Sequence, residues 1–212
     1  MNTIKLETIN FEKCQGLVPV CVQDVNTMQV LMVGFMNHEA LQQTIKSGLV
    51  TFYSRTKQRL WTKGETSGNC LSVQQMVVDC DQDSLLIYAQ AKGPTCHTGH
   101  ESCFNAPEFL PPLYWLGYLP EVIKLKQDKG EESYTYRLLK SGVKRIAQKV
   151  GEEGVEVALA AMTDDRSELS NEAVDLLYHL FVLLQAKGIS LQTISNVIRS
   201  RSNHETSISI GL

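Results

Sequence analysis

Apolar and polar positions fall into two rhythms along the chain. Residues 17 to 33 alternate weakly and are rich in Val, Leu and Met, with Asp24-Val25-Asn26-Thr27 between two runs, which predicts a hairpin. Met28, Met32 and Met36 read as packing residues. Asn37 suits the N-cap of a short helix running through Glu39-Ala40-Leu41 to Ile45, with His38 exposed at its start and Gly48 ending it. Val50-Thr51-Phe52-Tyr53-Ser54 predicts a strand. Val77-Val78 and Leu85-Leu86-Ile87-Tyr88 predict strand on either side of an acidic run. From Val143 the period becomes helical, with Ile146, Val150 and Val157 on one stripe and Leu176, Leu180 and Leu183 on the face of a second helix. Asp164-Asp165 and Ser167 break the chain between them, predicting an antiparallel pair. Pro107, Pro111, Pro112 and Pro120 punctuate the chain, which sets a domain boundary near residue 114. The polar tail, residues 204–212 with His204, reads as disordered. The expected architecture is therefore two domains, the first α+β and strand-rich, the second all-α.

Composition narrows the function classes. The 212 residues carry a formal net charge of −3 and a pI near 6.0, and no Lys/Arg block stands out, so nucleic acid is not an expected partner. Lys5, Glu7, Glu12 and Lys13 leave no room for an apolar leader, and nothing approaches a membrane-spanning length. Six cysteines then read as free or metal-bound thiols in a reducing cytoplasm, with Cys14 and Cys21 as core residues.

The candidate chemistry concentrates between residues 79 and 103. On a strand, Asp79, Asp81 and Asp83 would share one face with Cys80 on the other. Three adjacent carboxylates repel unless a cation sits among them, and oxygen ligands suit Mg²⁺ or Ca²⁺. Cys96 and Cys103 flank a loop broken by Gly93-Pro94 and Gly99. With Cys80 they make three thiol ligands, a set that favours zinc, and three rather than four protein ligands suggests a working metal. His97 or His100 would be a fourth ligand or a proton carrier. Residues 55 to 69 add basic side chains, hydroxyls and glycines of the kind a phosphate needs. An exposed hairpin with solvated charges would look similar.

In the second half Glu153 falls on the apolar stripe, where a carboxylate must be paired. Glu156 lies one turn on, with Glu152 at i−4 from it, and Glu172 and Asp175 repeat the arrangement on the next helix. Two acidic pairs on facing helices suit Mg²⁺ bridging a polyphosphate. His179, at i+4 from Asp175, could hydrogen-bond that residue or simply fill the core, the second being the preferred reading.

Four motifs carry a resemblance. Tyr53-Ser54-Arg55-Thr56, Leu60-Trp61-x-Lys63-Gly64-Glu65-x-Ser67-Gly68-Asn69, Asp79-Cys80-Asp81-x-Asp83, and Cys96-His97-Thr98-Gly99 with Ser102-Cys103-Phe104 resemble phosphoribosyl-AMP cyclohydrolase in order and spacing. The resemblance implies zinc on Cys80, Cys96 and Cys103 contributed across a homodimer interface and Mg²⁺ on Asp79, Asp81 and Asp83; His97 is the first choice for moving protons. The resemblance also implies substrate contacts from Ser54, Arg55, Thr56, Trp61, Lys63, Gly64, Glu65, Ser67, Gly68 and Asn69. Tyr53 and Lys57 stand where relatives often have Trp and Arg.

Ser133-Tyr134-Thr135, Gly142, Lys149-Val150-Gly151-Glu152-Glu153-x-x-Glu156-Val157 and Glu172-x-x-Asp175-Leu176-Leu177-Tyr178-His179 are similar to phosphoribosyl-ATP pyrophosphatase, a relative of the MazG-type helical pyrophosphatases. This match covers about residues 115–203, leaving 1–114 to the cyclohydrolase. It implies Mg²⁺ on Glu153, Glu156, Glu172 and Asp175, with Glu152 as an accessory acid and Lys149 at the substrate. Gly154 and Lys126 depart from the commoner Ala and Arg. Together the resemblances imply a fused, nucleotide-binding and ATP-binding hydrolase of histidine biosynthesis. The second domain would release pyrophosphate from phosphoribosyl-ATP, and the first would open the adenine ring of phosphoribosyl-AMP between N1 and C6. A zinc-stabilised binding module, or a pyrophosphatase fused to a nucleotide deaminase, are the competing expectations.

Overall fold

The computed structural model describes residues 8–104 and 112–205, and the chain folds as two units, Met1–Leu116 and Gly117–Leu212. In the first unit, β1 (Val18–Asp24), β2 (Val30–Met36), β5 (Leu71–Val78) and β6 (Leu85–Ala91) form a sheet in the order β2-β1-β6-β5. The β1–β2 and β5–β6 pairs are antiparallel, and β1 runs parallel to β6 with Val20 opposite Leu85. A second sheet is the hairpin of β3 (Thr51–Ser54) and β4 (Arg59–Thr62).

Alternation decides the core face: Val18, Val20 and Val22 of β1 and Leu85, Ile87 and Ala89 of β6 are buried. In β5 the phase slips. Leu71 and Val73 point inward, a register shift follows, and Met76 resumes the buried row, as one extra residue in a strand requires. The β1–β2 turn is built by Asp24, whose Oδ1 accepts from the amides of Asn26 (2.9 Å) and Thr27 (2.8 Å). Met28 completes that turn at φ +59° and is 49% exposed, so it does not pack as its neighbours Met32 and Met36 do.

Helix α1 (His38–Ser47) begins where expected, with Asn37 Oδ1 accepting from Ala40 N at 2.8 Å, and ends on Gly48 in the left-handed region. His38 is exposed at its start.

The second unit is helical: α2 (Pro112–Asp128), α3 (Tyr134–Lys140), α4 (Val143–Ala160), α5 (Arg166–Ala186) and α6 (Leu191–Glu205). Pro120 lies inside α2 rather than breaking the chain, while Pro112 takes the first helical position, where its missing N–H leaves no intrahelical bond unmade. Asp165 caps α5 by accepting from Ser167 N (2.8 Å) and Glu168 N (3.1 Å), which turns the chain back from α4. The core rests on Ile123, Leu138, Ile146 and Val182. Helix α6 runs through Glu205, so positions 204 and 205 of the expected tail are helical, and 206–212, like Pro107 and Pro111, lie outside the described residues.

Candidate functional site

The first site is a cleft of about 420 Å³ in the strand-rich unit, lined by residues of two loops. One loop follows β4 and brings Lys63, Gly64, Glu65, Ser67 and Asn69; the other follows β6 and brings Thr95, Cys96, His97 and Cys103. Trp61 of β4 lies against Phe52 at 5.8 Å between ring centroids and forms part of the wall.

Glycine is required where the first loop closes. Gly64 has φ +85°, and a Cβ there would stand 2.5 Å from the Asn69 carbonyl, whose oxygen accepts from Lys63 Nζ at 3.1 Å. Gly64→Ala is expected to combine a strained backbone with that clash, at roughly 1–3 kcal/mol or more. Chemical denaturation of the variant beside the wild type measures that loss.

The second loop is pinned to the sheet. Ser102 Oγ donates to Val30 O (2.7 Å), Cys103 N donates to Leu31 O (2.8 Å), and Cys96 N donates to His100 O (2.9 Å). These bonds hold Cys96 and Cys103 together on one wall. The Thr98 hydroxyl, 3.0 Å from Cys96 Sγ, is the main reason that thiol is held below its ordinary pKa, with Cys103 adding to it. Burial pushes the Cys103 thiol up, and the Cys96 sulfur adds to that, while the nearby Lys63 ammonium opposes it. One thiol biased toward thiolate beside a second is a donor pair that fits a soft cation. His97 Nδ1 lies 3.8 Å from Cys96 Sγ, and both His97 and His100 are exposed.

Cys80 is not part of this wall. It is exposed on the β5–β6 turn, and among the described residues no group of three ligand atoms within 4.8 Å includes a cysteine.

That turn also corrects the expected strand: β5 ends at Val78, and Asp79 to Ser84 form a loop. Asp79 Oδ1 accepts from the amides of Asp83 and Ser84 (both 3.0 Å), and the Ser84 hydroxyl bonds Oδ2 at 2.5 Å. The Ser84 contacts are the largest cause of an Asp79 carboxyl held well below the usual range. The three carboxylates do converge within 4.8 Å. Their repulsion is offset by Lys13, whose ammonium pairs with Asp81 and lies 2.8 Å from Asp83. The donor set fits a hard divalent ion once that lysine withdraws.

Other expected contacts lie elsewhere. Arg55 stacks its guanidinium 3.8 Å from the Phe35 ring centroid, Ser54 Oγ accepts from Lys57 N at 3.2 Å, and neither these residues nor Thr56 and Gly68 line the cleft. Glu65 pairs with Arg59 at 2.5 Å, which lowers its pKa, so one face of that carboxylate is committed to the hairpin.

The second site lies on α4 and α5. Glu153 is 4% exposed and its Oε1 meets Lys149 Nζ at 2.8 Å and His179 Nδ1 at 3.4 Å. Lys149, one turn back, also holds Glu152 at 3.0 Å and keeps the Glu153 carboxyl ionised below its ordinary range. Glu153, Glu156 and Glu172 bring carboxylate oxygens within 4.8 Å of one another. A hydrogen bond to Glu153 is the main reason the Glu156 carboxyl is raised, with the charges of Glu153 and Glu172 adding to it. One lysine does not neutralise three carboxylates, so the cluster fits a divalent cation.

His179 does more than fill the core. Buried at 6% exposure, it donates from Nδ1 to the Asp175 carbonyl (2.9 Å), and its Nε2 meets the Tyr134 hydroxyl at 2.9 Å. Tyr134 comes from α3, just past the Ser133 cap, so the network ties three helices together. Asp175 stands outside the glutamate group; it lines a neighbouring cleft of about 600 Å³ with Lys126, Lys129, Tyr134 and Tyr178. Lys126 Nζ lies 4.8 Å from the Tyr178 ring centroid.

Comparison with known proteins joins the two sites. The family model described as phosphoribosyl-AMP cyclohydrolase matches residues 32–105, and that described as phosphoribosyl-ATP pyrophosphohydrolase matches residues 118–202. A protein of Vibrio vulnificus (strain CMCP6), the histidine biosynthesis bifunctional protein HisIE, is 52% identical over 197 residues, covering 92% of this chain and 93% of that one. The protein of the same name from Escherichia coli (strain K12) is 56% identical over 195 residues, covering 91% and 95%. The chain belongs to the HisIE family. Cys80, Cys96 and Cys103 fall within the first match, and Glu153, Glu156, Glu172 and His179 within the second. Lys13 lies outside the first match. No single described helix is long and apolar enough to cross a membrane, and all six cysteines are free thiols.

Proposed function

We propose that the chain catalyses two consecutive hydrolyses of histidine biosynthesis, pyrophosphate release from phosphoribosyl-ATP on the helical unit and adenine ring opening of phosphoribosyl-AMP on the strand-rich unit. The observation that carries this reading is the pairing, in one HisIE-family chain, of a thiol-walled cleft with a separate acidic cluster on facing helices.

In the helical unit, Glu153, Glu156 and Glu172 would hold Mg²⁺, and Asp175 would reach the same substrate from the adjoining cleft. Mg²⁺ held there would supply charge neutralisation for the phosphates. Lys149 keeps Glu153 ionised, and Lys126 and Lys129 draw the phosphates in. Tyr134, braced by His179, presents its ring to the cleft.

In the strand-rich unit, Cys96 and Cys103 of one protomer and Cys80 of a second would hold zinc. A single chain leaves Cys80 exposed, as a residue offered to a partner would be. Zinc held there would lower the pKa of a water toward ~7 and so make hydroxide available at neutral pH. His97, exposed at the cleft mouth beside Cys96, moves the proton to the departing ring nitrogen. Lys63 balances thiolate charge from inside the cleft, and Trp61 with the loop of Gly64, Ser67 and Asn69 encloses the nucleotide. The aspartates of the β5–β6 turn hold Mg²⁺. The homodimer also accounts for Val155, Leu159, Met162 and Val174, apolar residues exposed on α4, its C-terminal end and α5. Free thiols throughout suit the cytoplasm.

Purified protein supplied with phosphoribosyl-ATP, zinc and Mg²⁺ is expected to yield pyrophosphate and the ring-opened product without ammonia, because ring opening keeps the exocyclic nitrogen. Ammonia release would point to a deaminase instead, and no reaction with either nucleotide would leave a binding module.

A further inference from the structure

Thr95 sits on the loop after β6, immediately before Cys96, and lines the same cleft as Trp61, Cys96, His97 and Cys103. The residue is 2% exposed, and its Oγ1 is the one buried side-chain polar atom among the described residues without a hydrogen-bond partner. Two other hydroxyls of the same loop are engaged: Thr98 bonds Cys96 Sγ, and Ser102 bonds the carbonyls of Val30 and Leu31. Burying a hydroxyl without a partner is unfavourable, and valine would fill the same space without that cost. A chain that keeps the hydroxyl there leaves its pairing to whatever enters the cleft.

The placement says which end of a nucleotide it meets. Thr95 directly precedes one of the two thiols of the cleft wall, so it stands at the reacting end rather than where a phosphate would lie. A hydroxyl donates one hydrogen bond and accepts others, which matches the adenine edge, where an exocyclic amine donor and a ring-nitrogen acceptor lie side by side. A neutral hydroxyl is a poor competitor for a thiolate-bound soft cation, so metal ligation is not its role. We propose that Thr95 is a substrate-binding residue whose hydroxyl pairs with the adenine edge of phosphoribosyl-AMP, an inference that rests on the cyclohydrolase reading of this cleft.

The test uses the full chain with Thr95→Val and Thr95→Ser. Thr95→Val is expected to raise KM for ring opening about tenfold with a smaller change in kcat, since a contact made to the bound base throughout is lost as binding. Zinc per chain and pyrophosphate release should stay at wild-type values, the thermal midpoint should be at or above that of the wild type, and Thr95→Ser should recover most of the KM. Unchanged KM and kcat in Thr95→Val would overturn the proposal, leaving a hydroxyl that is merely unpaired. A lowered thermal midpoint or lost zinc would also overturn it, because the residue would then be holding the loop. Wild-type protein that opened no ring in the same assay would instead remove the cyclohydrolase reading itself.

Discussion

Glu153→Gln is expected to abolish pyrophosphate release, by at least about a hundredfold, the equivalent of ~2.7 kcal/mol of transition-state stabilisation. The reason lies in what the charge of that side chain organises. Glu153 is the only member of the glutamate group that is fully buried, and it touches both Lys149 and His179. Glutamine occupies the same volume but carries no charge, so the cluster loses the carboxylate that Lys149 keeps ionised. Divalent affinity falls with it, and the Lys149 ammonium, no longer opposed there, would turn to Glu152 alone. Ring opening, assayed directly with phosphoribosyl-AMP, should be unaffected, because every residue assigned to it lies in the other unit. Loss of both activities would mean that the substitution unfolds the chain or that the two sites are coupled. Pyrophosphate release at the wild-type rate would remove the glutamate cluster from the reaction.

Cys96→Ser is expected to have an effect as large on the other activity. Cys96 is the thiol already biased toward ionisation by the Thr98 hydroxyl, and a serine hydroxyl in its place does not ionise near neutral pH, so a soft cation loses a strong ligand. Zinc per chain and ring opening should fall together while pyrophosphate release continues. The fold should survive, since the loop is held by Ser102 and by the backbone bonds of Cys96 and Cys103, none of which needs the Cys96 sulfur. Ring opening at its normal rate with zinc still bound would make the three-thiol assignment wrong.

How much of this could be seen in the sequence differed from residue to residue, for physical reasons. Glu153 was legible because a carboxylate on an apolar helical stripe has few inexpensive explanations, and the structure places it buried against a lysine one turn away. Asn37 and Gly48 were legible because capping is local. The hairpin of β1 and β2 was legible for the same reason, though Met28 was not, since a turn that needs a left-handed residue overrode its apolar character.

What sequence spacing misses is whatever distant segments bring together. The parallel pairing of β1 with β6 leaves no local trace. Lys13 could not be foreseen among the aspartates, and their alternate spacing suggested a strand where the chain in fact turns on Asp79. The polar stretch that holds β4 read equally as an exposed hairpin and as a phosphate loop, and spacing alone did not choose between them. His179 looked like core because its partners, a phenol from α3 and a carbonyl of its own helix, are invisible to periodicity. Helices α2, α3 and α6 gave no clear stripe, and Pro120 argued against the first of them. Thr95 carried no signal at all; only its burial without a partner sets it apart.

The convergence of three thiols from two chains on one metal is the claim on which the chemistry of the strand-rich unit depends, and subunit mixing tests it most directly. Cys80→Ser and Cys96→Ser proteins should each be inactive in ring opening. Unfolded together and refolded as a mixture, they should regain about a quarter of wild-type activity, because half the dimers are mixed and each mixed dimer has one intact site of two. Zinc should return in the same proportion. No recovery after mixing, in proteins that refold singly to their original secondary structure and dimer size, would contradict a site built from both subunits.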